Sequence, residues 1–212
     1  MGENGNPGSA GSLAKDKYHH GDLREALIDA SFTLISRDGA ENFLLADACR
    51  LAGVSTAAPY KHFRDRDEVL EIVVERGFDV MSERLMTAVA QAGEGTREGI
   101  MAMGRAYIAF ALEEQPLFRL MFGQHPVIKQ AESVVDTGRQ CFGNVIEQVN
   151  LFFSENNLEG DATEVAVRLW TFVHGAASLL IDEEYEKVVP DLDIEKLVQG
   201  SAPLLLGHAD VQ

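Results

Sequence analysis

Apolar residues recur at three- and four-residue spacing along most of the chain, which is the period of amphipathic helices. The first helix is predicted to begin at an N-cap, Asp22, with Glu25 three residues later as the capping partner. Gly39 suits the left-handed position that ends a helix. A second, short helix places the apolar residues of segment 45–52 on one face and is predicted to stop at Gly53.

The third helix is predicted to begin at Ser55 or Thr56. Thr56 is preferred as the cap because Pro59 then falls in the first turn, where its missing N–H costs no hydrogen bond. A long fourth helix follows, capped by Asp65 or Asp67. The apolar stripe of this helix consists of Leu70, Val73, Val74, Gly77, Phe78, Met81 and Leu85.

Four more helical segments are predicted downstream, at about 97–114, 129–154, 161–183 and 193–205. Glycine and proline residues separate these segments, as at Pro116. No strand-like alternation of any length occurs, so the predicted fold class is all-α.

Charge divides the chain into two parts. The formal net charge is −16. Residues 15–66 carry eight Lys/Arg and eight Asp/Glu, whereas residues 67–212 carry ten basic against twenty-five acidic residues. A neutral first part and an acidic second part suit a two-domain protein whose first domain approaches phosphates, although an acidic surface serves solubility equally well. Residues 1–14 are rich in Gly, Asn and Ser and are predicted to form a disordered tail.

The cysteines and the longest apolar run indicate a cytoplasmic protein. Cys49 and Cys141 lie far apart in sequence, without the spacing of metal ligands, and Cys49 falls on an apolar helix face. The apolar run 169–181 is too short to span a bilayer, and the N-terminus lacks the pattern of a secretory signal. We therefore expect neither structural disulfides nor a membrane partner.

Residues 45–63 predict a helix-turn-helix. They combine a short amphipathic helix, a glycine turn and a second short helix that ends in polar and aromatic side chains, and such a second helix can enter the major groove of DNA. The helical phase set by Val54 and Leu70 makes Phe63 a core residue and Tyr60 a surface residue.

Several segments resemble the TetR family of bacterial transcriptional regulators. They are Tyr18-His19-His20-Gly21-Asp22-Leu23-Arg24, Ala52-Gly53-Val54-Ser55 and Ala57-Ala58-Pro59-Tyr60-Lys61-His62-Phe63 with the following Asp65-Arg66-Asp67-Glu68-Val69-Leu70. Farther on, Trp170-Thr171-Phe172-Val173-His174-Gly175 is similar to the Trp-x-x-x-His-Gly signature of one TetR subgroup. One position departs from the family. Leu44 stands where many members carry a Ser or Thr that caps the second helix and contacts a phosphate, with Asn42 as the alternative cap.

The resemblance implies an N-terminal three-helix DNA-binding domain, residues 15–66, joined to a larger helical ligand-binding and dimerisation domain, residues 67–212. By the same resemblance, the residues facing the bases are Thr56, Ala57 and Ala58. Those facing phosphates are Tyr60, Lys61, His62, Arg66 and His20. Thr can hydrogen-bond either type of base edge, and Ala can pack on a thymine methyl. Since no Arg, Asn or Gln stands at these positions, each contact to a base should discriminate only weakly between sequences. We therefore expect the shape of the operator DNA to contribute to specificity.

Dimerisation is implied through the last two long helices. The predicted interface residues are Trp170, Val173, Ala177 and Ile181, with an ordinary contact inside one chain as the alternative. The predicted ligand pocket consists of Met103, Tyr107, Phe110, Phe118, Met121, Phe142, Phe172 and His174. Met and Phe at helical spacing also make ordinary cores, and His174 fits a structural role as well.

The function predicted from these features is a homodimeric DNA-binding regulator, expected to be a repressor controlled by a small-molecule effector. Its partners are double-stranded operator DNA, a second copy of the chain and the effector. The alternatives are a helical binding protein that no longer binds DNA and a small helical enzyme. The sequence carries none of the common catalytic motifs, and we expect no cofactor and no metal; His19, His20 and Asp22 make only a weak ligand set.

Overall fold

A computed structural model describes residues 20–206, with the backbone alone at 20–22 and 127. This part of the chain contains ten α-helices, one 3-10 helix and no strand, which confirms the all-α prediction. The predicted tail 1–14 lies outside the described residues, as do Tyr18 and His19. The α-helices are α1 (His20–Asp38), α2 (Leu45–Leu51), α3 (Arg66–Ala92), α4 (Arg97–Glu113), α5 (Gln115–Phe122), α6 (Pro126–Gln130), α7 (Glu132–Glu155), α8 (Ala162–Ile181), α9 (Glu184–Val188) and α10 (Ile194–Leu205).

The first two helices end at the predicted glycines. Gly39 has a φ of +82°, and its N–H donates to the carbonyl of Ile35 at 2.9 Å. After α2, Gly53 has a φ of +70°, and the N–H of Val54 donates back to the carbonyl of Cys49, which completes a Schellman motif. The predicted start of α1 is wrong, since the helix already includes His20 and Asp22 therefore lies in its first turn.

Helix α3 joins the helix-turn-helix to the rest of the chain. Its N-cap is Asp65, whose carboxylate accepts from the N–H of Glu68 at 2.9 Å, as one of the two predicted caps. The helix runs without interruption for 27 residues, and the predicted apolar stripe is buried. One rigid element therefore reaches from the DNA-binding segment into the centre of the second part.

The second part is a bundle around α3 and α4. Helices α4, α7 and α5 pack on α3, while α8 packs on α4 and α7 and α10 on α4 and α8. The four long segments predicted downstream correspond to α4, α7, α8 and α10. Helix α5 was missed because Pro116 was interpreted as a break, whereas it occupies the first turn of α5, where proline is tolerated.

Helix α8 is longer than the apolar run suggested. Its 20 residues are long and apolar enough to cross a membrane by length and composition alone. Core helices of soluble proteins pass the same test, and α8 packs on α4, α7, α9 and α10.

Candidate DNA-binding surface and ligand cavity

The predicted third helix is reduced to a 3-10 helix, Pro59–Lys61, preceded by a turn. The N–H of Ala58 donates to the carbonyl of Ser55 at 3.0 Å, and the N–H of Lys61 donates to the carbonyl of Ala58 at 3.2 Å. No helix begins at Thr56, so the predicted helix start is wrong. The carbonyl of Pro59 accepts from both His62 and Phe63, which closes the turn.

Six of the residues predicted to contact DNA lie in or beside this turn: Thr56, Ala57, Ala58, Tyr60, Lys61 and His62. Thr56, Ala57, Tyr60 and Lys61 are exposed, with Tyr60 at 70% exposure. Phe63 and Pro59 are buried, so the turn is held by apolar side chains beneath it. Ala58 and His62 are half-buried. The phase predicted for Tyr60 and Phe63 is thus confirmed.

Lys61 differs from the other basic residues of the helix-turn-helix. Arg50 is paired with Asp47 on α2, and Arg64 with Glu68. Among the side chains that the structure describes, Lys61 has no acidic partner within 4.0 Å, and it is exposed at the surface of the turn.

Arg66, which was predicted to contact a phosphate, instead binds backbone carbonyl groups of the protein. Its guanidinium donates to the carbonyl oxygens of Ala40 and of Phe43, the latter at 3.1 Å, and lies 6.0 Å from the Phe43 ring centroid. These bonds tie the loop between α1 and α2 to the start of α3. The structure therefore favours a positioning role for Arg66.

Two residues near this surface change the picture drawn from the sequence. The guanidinium of Arg24, on α1, lies 5.4 Å from the Phe63 ring centroid and adds a positive charge beside the turn. Sequence reasoning missed Arg24 because nothing local links α1 to residue 63. Leu44 is the N-cap of α2 without a side-chain hydrogen bond, which excludes Asn42 as the cap, and its side chain is exposed.

A cavity of about 340 Å³ lies in the second part, enclosed by α3, α4, α7 and α8, with Phe122 from α5. It is lined by Phe78, Met81, Leu85, Ile100, Met103, Gly104, Tyr107, Phe122, Val135, Gly138, Arg139, Cys141, Phe142, Val145, Leu169, Trp170 and Val173. Nearly all of these side chains are apolar. Burial raises the pKa of the Cys141 thiol to about 11, which keeps it neutral.

The cavity includes three of the eight residues predicted for the ligand pocket: Met103, Tyr107 and Phe142. The other five are Phe110, Phe118, Met121, Phe172 and His174, and they pack outside its lining. Phe110, for example, is fully buried beneath the guanidinium of Arg84. The prediction failed at these positions because apolar periodicity marks a buried face but does not separate core contacts from cavity walls.

A chain of hydrogen bonds borders the cavity. The Trp170 indole N–H donates to the Tyr107 hydroxyl at 3.4 Å, and that hydroxyl lies 2.8 Å from Nδ1 of His174. Burial raises the pKa of Tyr107 and lowers that of His174, so both groups are held neutral. The polar atoms on this wall are therefore already paired with one another.

The predicted dimer interface needs correction at three of its four residues. Val173, Ala177 and Ile181 are buried inside the protomer, whereas Trp170 lines the cavity and is also exposed, so its place in the interface stays a prediction. Helix α8 carries small and apolar residues on two faces, and the inner face packs on α4 and α7. The sequence pattern could not tell which of the two faces meets a partner.

The outward surface of α8 and α10 has exposed apolar side chains and two glycines with free space beside them. Val167, Leu179 and Leu204 are exposed apolar side chains. A Cβ built at Gly175 or at Gly200 meets no atom within 4 Å, so both glycines leave open space beside their helices. Among the side chains described for residues 23–126 and 128–206, no three from His, Cys, Asp or Glu converge as metal ligands.

Comparison with known proteins supports the helical second part and the whole-chain architecture. The family model of the tetracyclin repressor-like C-terminal domain matches residues 100–199. The nucleoid occlusion factor SlmA of Pectobacterium carotovorum is 25% identical over 169 residues, which cover 76% of this chain and 84% of that protein.

Two solved structures share the fold. A protein of unknown function from Rhodococcus sp. RHA1 has a TM-score of 0.77 and 30% identity, covering 92% of this chain and all of that one. A TetR-family transcriptional regulator from Streptomyces coelicolor has a TM-score of 0.63 at 15% identity, covering 87% of this chain and 80% of that one. The match over residues 100–199 and the shared whole-chain architecture support a DNA-binding regulator that has a TetR-like C-terminal domain and the fold of TetR-family regulators.

Proposed function

We propose that this regulator is a homodimeric repressor whose affinity for operator DNA is controlled by a small apolar ligand in the cavity. The observation that carries the proposal is the course of α3. Its first turn holds the α1–α2 loop through Arg66, and about three to five turns later its residues Phe78, Met81 and Leu85 line the cavity. A change in the cavity therefore acts on the same helix that positions the DNA-binding surface.

Contact with DNA is assigned to the exposed turn. Thr56, Ala57 and Ala58 face the bases, while Tyr60, Lys61 and His62 contact phosphates, with Arg24 as an added positive charge. Hydrogen bonds and charge at phosphates set affinity and register, and the short side chains at 56–58 read the bases weakly. His20 remains a proposed phosphate contact from the start of α1.

The partner subunit is assigned to the outward surface of α8 and α10. Exposed Leu179 and Leu204 offer apolar area, and Gly175 and Gly200 allow another helix to approach closely. A dimer places two recognition turns on two half-sites, which gives the affinity that one short turn cannot supply.

Helix α5 is the proposed link between cavity and dimer. Phe122 lines the cavity, and a Cβ built at Gly77 of α3 would lie 2.9 Å from Sδ of Met121, so α5 and α3 are in close contact. At the other side, Arg119 donates to the carboxylate of Asp182 at 2.7 Å, beyond the end of α8. A ligand that displaces Phe122 would shift α5 and with it the spacing of the two DNA-binding surfaces.

The direct test is selection of genomic DNA fragments by the purified protein, followed by footprinting on the selected sites. We expect a protected region with two half-sites about one helical turn apart, and an altered sequence preference for Thr56→Ala. Binding without any preferred sequence, or no binding, would favour a helical ligand-binding protein that no longer reads DNA.

A further inference from the structure

The lining of the cavity separates into a buried interior and an exposed rim. Met81, Leu85 and Met103 are all buried. By contrast, Arg139 and Trp170 line the cavity and yet are exposed, with the Arg139 side chain at 74% and Trp170 at 40%. A residue that both lines the cavity and contacts solvent must lie at its opening, so these side chains mark the mouth.

The interior offers nothing to a polar ligand group. The Tyr107 hydroxyl is engaged with Trp170 and His174, and Cys141 is a neutral thiol. The two buried side-chain polar atoms left without a hydrogen bond among the described residues belong to Ser36 and His125, which are not in the lining. Placing a polar group inside would leave it unpaired, which is costly.

The lining carries one charged side chain, and its charge is positive. Arg139 is the charged residue of the lining, and no carboxylate is among the lining residues. Its partner Asp136 lies one turn earlier on α7, with 2.8 Å between Nη1 and Oδ1, and both side chains are largely exposed. An exposed pair of this kind is weak and exchanges partners readily.

We infer that the effector is an amphipathic anion with an uncharged hydrocarbon body and a single anionic end, such as a carboxylate, that lies against Arg139 at the mouth. This inference rests on the proposed role of the cavity as the ligand site. The size fits: 340 Å³ is about twice the ~150 Å³ of a cavity that holds benzene, which is suitable for a medium-length acyl chain or two fused rings. Cations are disfavoured because the mouth has no lining carboxylate and one arginine.

The experiment compares three probes of equal chain length and different head group: decanoate, decan-1-ol and decyltrimethylammonium, each below its micelle concentration. Trp170 is the single tryptophan of the chain and lies in the lining, so its fluorescence reports occupancy. We expect decanoate to bind up to about five-fold more tightly than decanol, and the ammonium compound more weakly than both.

Three variants assign the head group. Arg139→Gln is expected to abolish the preference for decanoate over decanol and to keep the affinity for decanol. Asp136→Asn is expected to increase the preference for decanoate, because it frees Arg139 from its partner. Arg168→Gln, which removes an exposed arginine outside the lining, is the matched control and should keep the wild-type preference.

The outcomes separate the two proposals. Equal affinities for decanoate and decanol, or an unchanged preference in Arg139→Gln, would overturn the anionic head group and leave the cavity as a site for neutral ligands. If none of the three probes changes Trp170 fluorescence or the melting temperature, both this inference and the ligand control proposed above are wrong.

Discussion

The hydroxyl oxygen of Tyr107 on α4 lies 2.8 Å from Nδ1 of His174 on α8. Because Trp170 donates to the same hydroxyl, Tyr107 can donate its own proton to Nδ1, which requires a neutral imidazole protonated at Nε2. The pair joins α4 to α8 beside the cavity. Protonation of His174 would place a second donor against the hydroxyl and disrupt this arrangement.

This arrangement predicts a loss of stability in acid. Burial lowers the pKa of His174 below its usual value of about 6.5, so the unfolded state takes up the proton first as pH falls. The contribution of His174 to stability is thus fully present above about pH 6.5 and declines below it. Thermal melting between pH 8 and 5 should show a steeper decline for the wild type than for His174→Gln. Parallel curves for the two proteins would contradict the prediction.

The second prediction concerns the volume of the cavity. Gly138 lines it, and a Cβ built there would meet Cζ of Phe78 at an ordinary 3.4 Å, so Gly138→Ala adds a methyl group to the wall without a clash. Ligand affinity should fall about ten-fold or more, measured with both decanoate and decanol by Trp170 fluorescence.

Gly143→Ala is the matched control on the same helix, because a Cβ built there meets no atom within 4 Å and Gly143 does not line the cavity. Both variants should gain about 0.5–1 kcal/mol in free energy of unfolding, since alanine favours the helix interior over glycine. Equal affinities in the two variants would show that ligands bind elsewhere.

The third prediction concerns the dimer. Gly175→Glu adds a charge on the outward face of α8, where the protomer has open space and the partner subunit is proposed to pack. An unpaired charge buried in an interface costs several kcal/mol, so the dissociation constant should rise about 100-fold or more. Gly143→Glu, with the same change at an open position on α7, should remain dimeric in sedimentation velocity. Dimers of equal strength would place the interface on another surface.

The sequence was informative where a local pattern decides the structure. The stripe from Leu70 to Leu85 and the cap at Asp65 predicted α3, and Gly39 predicted the end of α1. Pro116 was misleading, because proline can mark either the end of one helix or the first turn of the next. The 3-10 turn at Pro59 was likewise not predicted, because a proline in the first turn is also compatible with an α-helix.

The sites were harder to predict because they depend on contacts between helices. The two faces of α8 look alike in sequence, so Val173 and Ala177 were assigned to the dimer although they pack inside the protomer. Arg66 has the charge of a phosphate ligand, and only the position of the α1–α2 loop reveals its carbonyl partners. Met81 and Leu85 read as core residues and turned out to line the cavity.

The fourth prediction tests the role of Arg66. Arg66→Met removes two charge-assisted hydrogen bonds to the α1–α2 loop, and the half-exposed site suggests a loss of about 1–2 kcal/mol in free energy of unfolding. Hydrogen exchange at residues 40–43 should accelerate. Arg37→Met, which removes an exposed arginine paired with its neighbour Asp38, should change stability by less than about 0.5 kcal/mol. If Arg66→Met has the same free energy of unfolding as the wild type, Arg66 does not position the loop and is again a candidate phosphate contact.

The most direct test of the account is the salt dependence of operator binding by Lys61→Ala. Each protomer of a bound dimer loses one phosphate contact, so the slope of log K against log salt should flatten by about two units, equally on all sequences. Lys129→Ala removes the same charge from α6 and should keep the wild-type slope. If the two variants give the same slope, the turn at residues 59–61 is not the surface that binds DNA.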